Sequence, residues 1–186
     1  MTAREQEEYR ALRATIRERG TARVSIFSAG VAAWTAATIA TAALASSPVA
    51  SLLPLLLLAC VFEAIFALHI GVERIGRYLQ VFYERSGESA GSSEAAGSIG
   101  WEHAAMAFGR PPGAATTDAL FTVPFLLAAI FNIVPPLLLN PIRAELIFVG
   151  GAHALFALRL IVARTAAGRQ RAIDLARFQQ LKRELP

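Results

Sequence analysis

Residues 52–83 read LLPLLLLACVFEAIFALHIGVERIGRYLQVFY, and this stretch decides the fold. Its first part is apolar apart from Glu63 and His69, over the roughly 20 residues that a helix needs to cross a bilayer. Its last part carries charged residues at amphipathic helical spacing. The stretch therefore predicts one long helix that crosses the membrane and continues beyond it.

The polar residues of this predicted helix lie on one side of it. At ~100° per residue, Glu63, Arg74 and Arg77 fall close together around the helix axis. A carboxylate near the bilayer centre costs roughly 2.5–3.5 kcal/mol, so Glu63 is predicted to face other helices or a water-filled cavity and to have a partner. The opposite side is apolar and is predicted to face lipid; its residues are Val61, Ile65, Leu68, Val72, Ile75 and Leu79.

Composition agrees with a membrane protein. The chain has 186 residues, of which 55% are hydrophobic, and its mean hydropathy is +0.47. The net charge is +4, but the basic residues gather at the ends of apolar runs instead of alternating with aromatic residues. That distribution excludes a nucleic-acid surface and predicts a lipid bilayer as the partner. The single cysteine, Cys60, excludes an internal disulfide and a cysteine zinc site.

Three further apolar segments complete the membrane domain. The first is rich in small residues at four-residue spacing, which predicts close packing against a helix of this chain or of a second copy. Pro135 and Pro136 are predicted to interrupt the third span, because proline removes a backbone hydrogen bond. The chain is thus predicted to be an all-α integral membrane protein with four transmembrane helices, at about 24–45, 52–72, 119–139 and 142–162.

The charged segments lie outside the predicted spans. Residues 1–23 predict an amphipathic helix that stops near Gly20, and residues 165–186 predict a second helix outside the membrane. Between them lies the transmembrane domain, 24–164, with a loop at 85–117. Basic residues gather at the two termini and after the second span, so the positive-inside rule places both termini and the loop in the cytoplasm. In a bacterium the membrane would be the inner membrane.

Two ionisable residues are predicted to meet near the membrane midplane. Counted from the starts of their helices, Glu63 and His153 both lie ~15 Å deep. A hydrogen-bonded Glu63–His153 pair is therefore one hypothesis, with Gly150 and Gly151 allowing a neighbouring helix to approach. The alternative is that each residue is satisfied separately. Three further polar residues are assigned a supporting role: Asn132, Arg74 and Arg77.

A second cluster of polar residues is predicted at the cytoplasmic boundary. Two histidines and two carboxylates are a possible ligand set for a transition metal; they are His69, Glu73, Glu102 and His103. The alternative is an ordinary set of salt bridges among Glu73, Arg77, Glu102 and Asp118. Haem ligation by His69 and His153 is disfavoured by a depth difference of ~10 Å, and no cofactor is otherwise predicted.

Three classes of function remain. The favoured one is a non-catalytic subunit or scaffold of a membrane complex, with other membrane subunits or further copies of the chain as partners. The first alternative is a homo-oligomeric channel or transporter that uses Glu63 and His153, since midplane ionisable groups are typical of transport paths. The second is a metal-dependent membrane enzyme. The sequence contains no P-loop, dinucleotide fingerprint or nucleophile elbow.

Overall fold

A computed structural model describes residues 2–83 and 117–184, with the side chains of the second range described from Thr122 onward. These two ranges are helical and contain no β-strand, which confirms the predicted all-α class. The elements are α1 (Ala3–Leu44), a short 3-10 helix (Pro48–Ser51), α2 (Leu52–Phe82), α3 (Thr117–Leu138) and α4 (Arg143–Glu184).

Three stretches of helix are long and apolar enough to cross a membrane. They are Ala3–Leu44, Pro48–Phe82 and Arg143–Glu184. The apolar part of α3, Thr122–Leu138, is shorter. Large apolar side chains remain exposed along all of these helices, as a surface that contacts lipid would require.

The chain divides into two compact units. The apolar unit comprises Thr21–Leu68 and Ala115–Ala166. The charged unit comprises Met1–Gly20, His69–Ala114 and Ala167–Pro186. Of the charged unit, the structure describes residues 2–20, 69–83 and 167–184.

The core of the apolar unit is built on the side of α2 that was predicted to face lipid. Val61 and Ile65 are buried in it. Phe62 packs edge-to-face against Phe125 of α3 and Phe156 of α4, with ring centroids 5.4 and 6.3 Å apart. The prediction that this side of α2 faces lipid was therefore wrong. Lipid tails and a protein core are equally apolar, so the hydrophobic pattern of a spanning helix does not say which of its sides points inward.

Two predicted interruptions do not break the helices. The helix α1 continues through Gly20, since a glycine inside a helix costs only about 1 kcal/mol and leaves its hydrogen bonds intact. The helix α3 continues through Pro135 and Pro136 and ends at Leu138. The backbone then reverses at Asn140, whose φ of 51° is a left-handed conformation that asparagine tolerates well.

In the described part of the apolar unit, the glycine that lies closest to another helix is Gly30 of α1. A Cβ atom added to Gly30 would lie 2.5 and 2.6 Å from the two methyl carbons of Val61 in α2. Gly150 and Gly151, which were predicted to admit a neighbouring helix, have no atom within 4 Å of an added Cβ. In the apolar unit, the small residue that allows α1 and α2 to meet is therefore Gly30.

Replacing Gly30 by alanine is expected to destabilise the protein by about 1–3 kcal/mol, because the added methyl group overpacks the contact with Val61. Reversible unfolding in mixed detergent micelles measures this change. Gly150→Ala is the matched control, since that position has open space and lies within α4. Equal stability of the two variants would contradict the close approach at Gly30.

Candidate functional site

An ion pair on the surface of the apolar unit joins α2 to α4. Both nitrogen atoms of one edge of the Arg159 guanidinium contact the Glu63 carboxylate, with Nε 2.7 Å from Oε1 and Nη2 2.8 Å from Oε2. This two-point geometry is among the strongest that the two groups form. The side chains remain 47% (Glu63) and 40% (Arg159) exposed. The pair therefore presents both charges to whatever surrounds the helices.

Aromatic rings of α2 hold Arg159 in place. Its guanidinium carbon lies 5.2 Å from the ring centroid of Phe66 and 5.9 Å from that of Phe62, distances typical of cation–π contacts. The two rings are themselves stacked, with centroids 5.8 Å apart. Because Phe62 belongs to the buried core, Arg159 is oriented by a rigid part of the unit.

His153 lies in a separate, buried polar cluster. Its Nδ1 lies 2.8 Å from the carbonyl oxygen of Val149, and its Nε2 lies 3.1 Å from Nδ2 of Asn132. An amide nitrogen only donates, so Nε2 is the acceptor and the proton sits on Nδ1, donated to Val149. Both ring nitrogens of His153 are therefore occupied by hydrogen bonds.

Asn132 connects this cluster to the short 3-10 helix Pro48–Ser51. Its side chain is 1% exposed, and Nδ2 also donates to the Ser51 carbonyl oxygen at 2.9 Å. The Thr38 hydroxyl lies 3.5 Å from Oδ1 of Asn132 and donates at 2.9 Å to the Trp34 carbonyl. A cavity of about 10 Å³ adjoins Asn132, which is room for about one water molecule.

The structure does not bring Glu63 and His153 together. Within the described residues, Glu63 contacts Arg159, and His153 contacts Asn132 and Val149. This arrangement corresponds to the alternative in which each residue is satisfied separately. Arg159 was not among the residues predicted to contact Glu63, and the structure shows it to be the partner.

In the charged unit, Glu73 is shared by two arginines. It lies 3.2 Å from Nη2 of Arg77 on the same helix and 2.9 Å from Nε of Arg171 on α4. Arg77 is buried and also donates to Gln80 at 3.1 Å. The neighbouring Arg74 is 54% exposed and lies 3.3 Å from Oδ2 of Asp174. Salt bridges therefore occupy Glu73, Arg74 and Arg77.

The predicted metal cluster is described only in part. His69 and Glu73 are on one face of α2, where Nε2 of His69 lies 3.5 Å from Nη2 of Arg171. Glu102 and His103 lie outside the described residues. Among the side chains that are described, no group of three or more histidine, cysteine or acidic residues has a metal-binding arrangement.

The N-terminal part of α1 packs on the end of α2 within the charged unit. The Tyr78 hydroxyl donates to Oε1 of Glu8 at 3.0 Å, and the rings of Tyr9 and Tyr83 lie 5.7 Å apart. Desolvation raises the pKa of the Tyr78 phenol above its ordinary value, and the Glu8 carboxylate acts in the same direction. Aromatic and polar contacts of this kind fix the helices of the charged unit in register.

Replacing Glu73 by glutamine is expected to destabilise the charged unit by about 2 kcal/mol, because the buried Arg77 loses its carboxylate. Faster hydrogen exchange of residues 69–83 measures the effect. Arg74→Gln is the control and is expected to change stability by less than about 1 kcal/mol, since Arg74 is 54% exposed and its partner Asp174 keeps the hydrogen bond from Gln170 at 2.8 Å. A larger effect at Arg74 than at Glu73 would contradict the roles given to the two residues.

Comparisons with known proteins do not assign a function. The chain matches no protein-family model, no curated protein and no solved structure.

Proposed function

We propose that this chain is a polytopic membrane protein that crosses the bilayer four times and acts as a non-catalytic subunit or scaffold of a membrane complex. Three helices with the length and apolarity of spans support this, and α3 supplies the fourth. Both termini lie in the cytoplasm, because six arginines precede the first span and six basic residues follow Arg159. In a bacterium this is the inner membrane.

The exposed Glu63–Arg159 pair is the observation that carries the proposal. Glu63 lies eleven residues into α2, which is about 16 Å and close to the centre of a ~30 Å hydrocarbon core. Charged side chains at that depth normally face other helices or a water-filled space. In the single chain this pair faces outward, so another polypeptide that covers it supplies the polar surroundings that lipid lacks.

The buried His153 cluster favours a scaffold over a conduit. Its members satisfy one another's hydrogen bonds, and the adjoining cavity has room for about one water molecule. A transport path needs polar groups that exchange partners with a passing ion or solute. The hydrogen bonds of Asn132 and His153 instead tie α3 and α4 to the turn at Ser51, which is a structural task.

Native mass spectrometry of the protein, released from its own membrane in mild detergent, tests this proposal. The expected result is a defined assembly that contains more than one polypeptide and dissociates when Arg159 is replaced by leucine. Thr165→Ala is a control on the same helix, where the hydroxyl donates to the Val162 carbonyl oxygen of α4 itself. A wild-type chain that is monomeric under these conditions, or that conducts ions as a monomer in vesicles, would overturn the proposal.

A further inference from the structure

The surface around the Glu63–Arg159 pair is self-complementary. Both charges belong to the same patch, one on α2 and one on α4, and their contacting atoms are 2.7 Å apart. They therefore lie at the same depth in the membrane. A second copy of the chain has the same orientation in the bilayer, so a two-fold axis that relates the copies runs along the membrane normal. Rotation about that axis places α4 of one copy opposite α2 of the other.

We infer that this patch binds a second copy of the chain, with Glu63 of each copy facing Arg159 of the other. The inference rests on the proposed function and names the partner that covers the ion pair. Each carboxylate then lies between two guanidinium groups and each guanidinium between two carboxylates. The four charges compensate one another inside protein, in place of two charges exposed to lipid.

The spacing of the exposed residues on α2 fits a helix partner. A row of exposed side chains follows the three–four spacing of a left-handed helix pair and includes Glu63 as its fourth member. This row is Leu53, Leu56, Cys60, Glu63 and Ala67. A row with the same spacing passes through Arg159 on α4, and its members are exposed or half-buried: Phe148, Ala152, Leu155, Arg159 and Val162. Each row thus offers a packing seam on either side of the charges.

Charge-swapped chains with two different affinity tags test the inference. Glu63→Arg gives a chain with two cations in the patch, and Arg159→Glu gives a chain with two anions. Each variant alone is expected to lose self-association by about tenfold or more, whereas the two expressed together form a mixed dimer. A chain with both substitutions regains self-association, because the intramolecular and intermolecular pairs are both restored.

Two tryptophan variants, which change side-chain size and leave the charges intact, test the inference if the charge-swapped chains fail to insert into the membrane. Cys60→Trp places a large side chain in the proposed seam, and Ile130→Trp places the same side chain on an exposed position of α3. Only Cys60→Trp is expected to weaken self-association. Equal association of the wild type and both tryptophan variants would overturn the inference.

The outcomes also separate this inference from the proposed function. An assembly that contains other polypeptides and a single copy of this chain would overturn the second-copy partner and leave the scaffold role in place. A monomeric wild-type chain would overturn both. An assembly with two copies that is insensitive to Glu63 and Arg159 would overturn the assigned surface.

Discussion

Replacing Arg159 by leucine is expected to destabilise the protein by about 3 kcal/mol, because Glu63 is left in the membrane without its cation. Replacing Glu63 by leucine in the same chain is expected to restore stability to within about 1 kcal/mol of the wild type, since two leucines suit a lipid-facing or helix-packed surface equally well. Unfolding in mixed micelles of a mild detergent and sodium dodecyl sulfate measures both changes.

The conservative variant Arg159→Lys separates the charge from the geometry. Lysine keeps a cation near Glu63 but loses the planar two-point contact and the stacking on Phe66. An intermediate loss of stability is therefore expected. If Arg159→Leu were as stable as the wild type while Glu63 is intact, the paired arrangement would be contradicted.

Replacing Asn132 by leucine, which has the same number of side-chain heavy atoms, is expected to destabilise the apolar unit by about 2 kcal/mol. The substitution leaves the Ser51 carbonyl and Nε2 of His153 without their donor in a buried site. An unsatisfied buried polar group costs about 1–3 kcal/mol in proteins, and single hydrogen bonds between membrane helices are worth about 0.6 kcal/mol and at most about 1.7. The same unfolding measurement checks this value.

Thr38→Val is the matched control for Asn132. The Thr38 hydroxyl is only 3.5 Å from Oδ1 of Asn132 and bonds mainly to the Trp34 carbonyl of its own helix. Its loss therefore leaves no buried donor of the cluster unpaired, and a change below about 0.5 kcal/mol is expected. A similar loss for both variants would show that Asn132 acts through packing and not through its amide.

The helices of this protein are readable from its sequence, because apolar runs of spanning length are a strong signal. The need for a partner at Glu63 is readable too, because an unpaired carboxylate in lipid is costly. The direction in which Glu63 points cannot be predicted from the sequence. The residues opposite it, Val61 and Ile65, suit lipid and core equally well, and the structure places them in the core.

Counting residues from the helix starts also does not identify Arg159 as the partner of Glu63. Arg159 lies sixteen residues into α4 and Glu63 eleven into α2, so their backbones differ in depth by about 7–8 Å. Depth alone therefore favoured His153. A helical side chain leans toward the N-terminus of its helix, and the long Arg159 side chain spans the difference in that direction.

Double-mutant cycles with the same unfolding measurement test most directly whether Glu63 pairs with Arg159 at the surface and His153 with Asn132 in the interior. Coupling energies of roughly 0.5–3 kcal/mol are expected for each of those two pairs, and less than about 0.5 kcal/mol between Glu63 and His153. Strong coupling between Glu63 and His153, with none between Glu63 and Arg159, would contradict this arrangement of the polar residues.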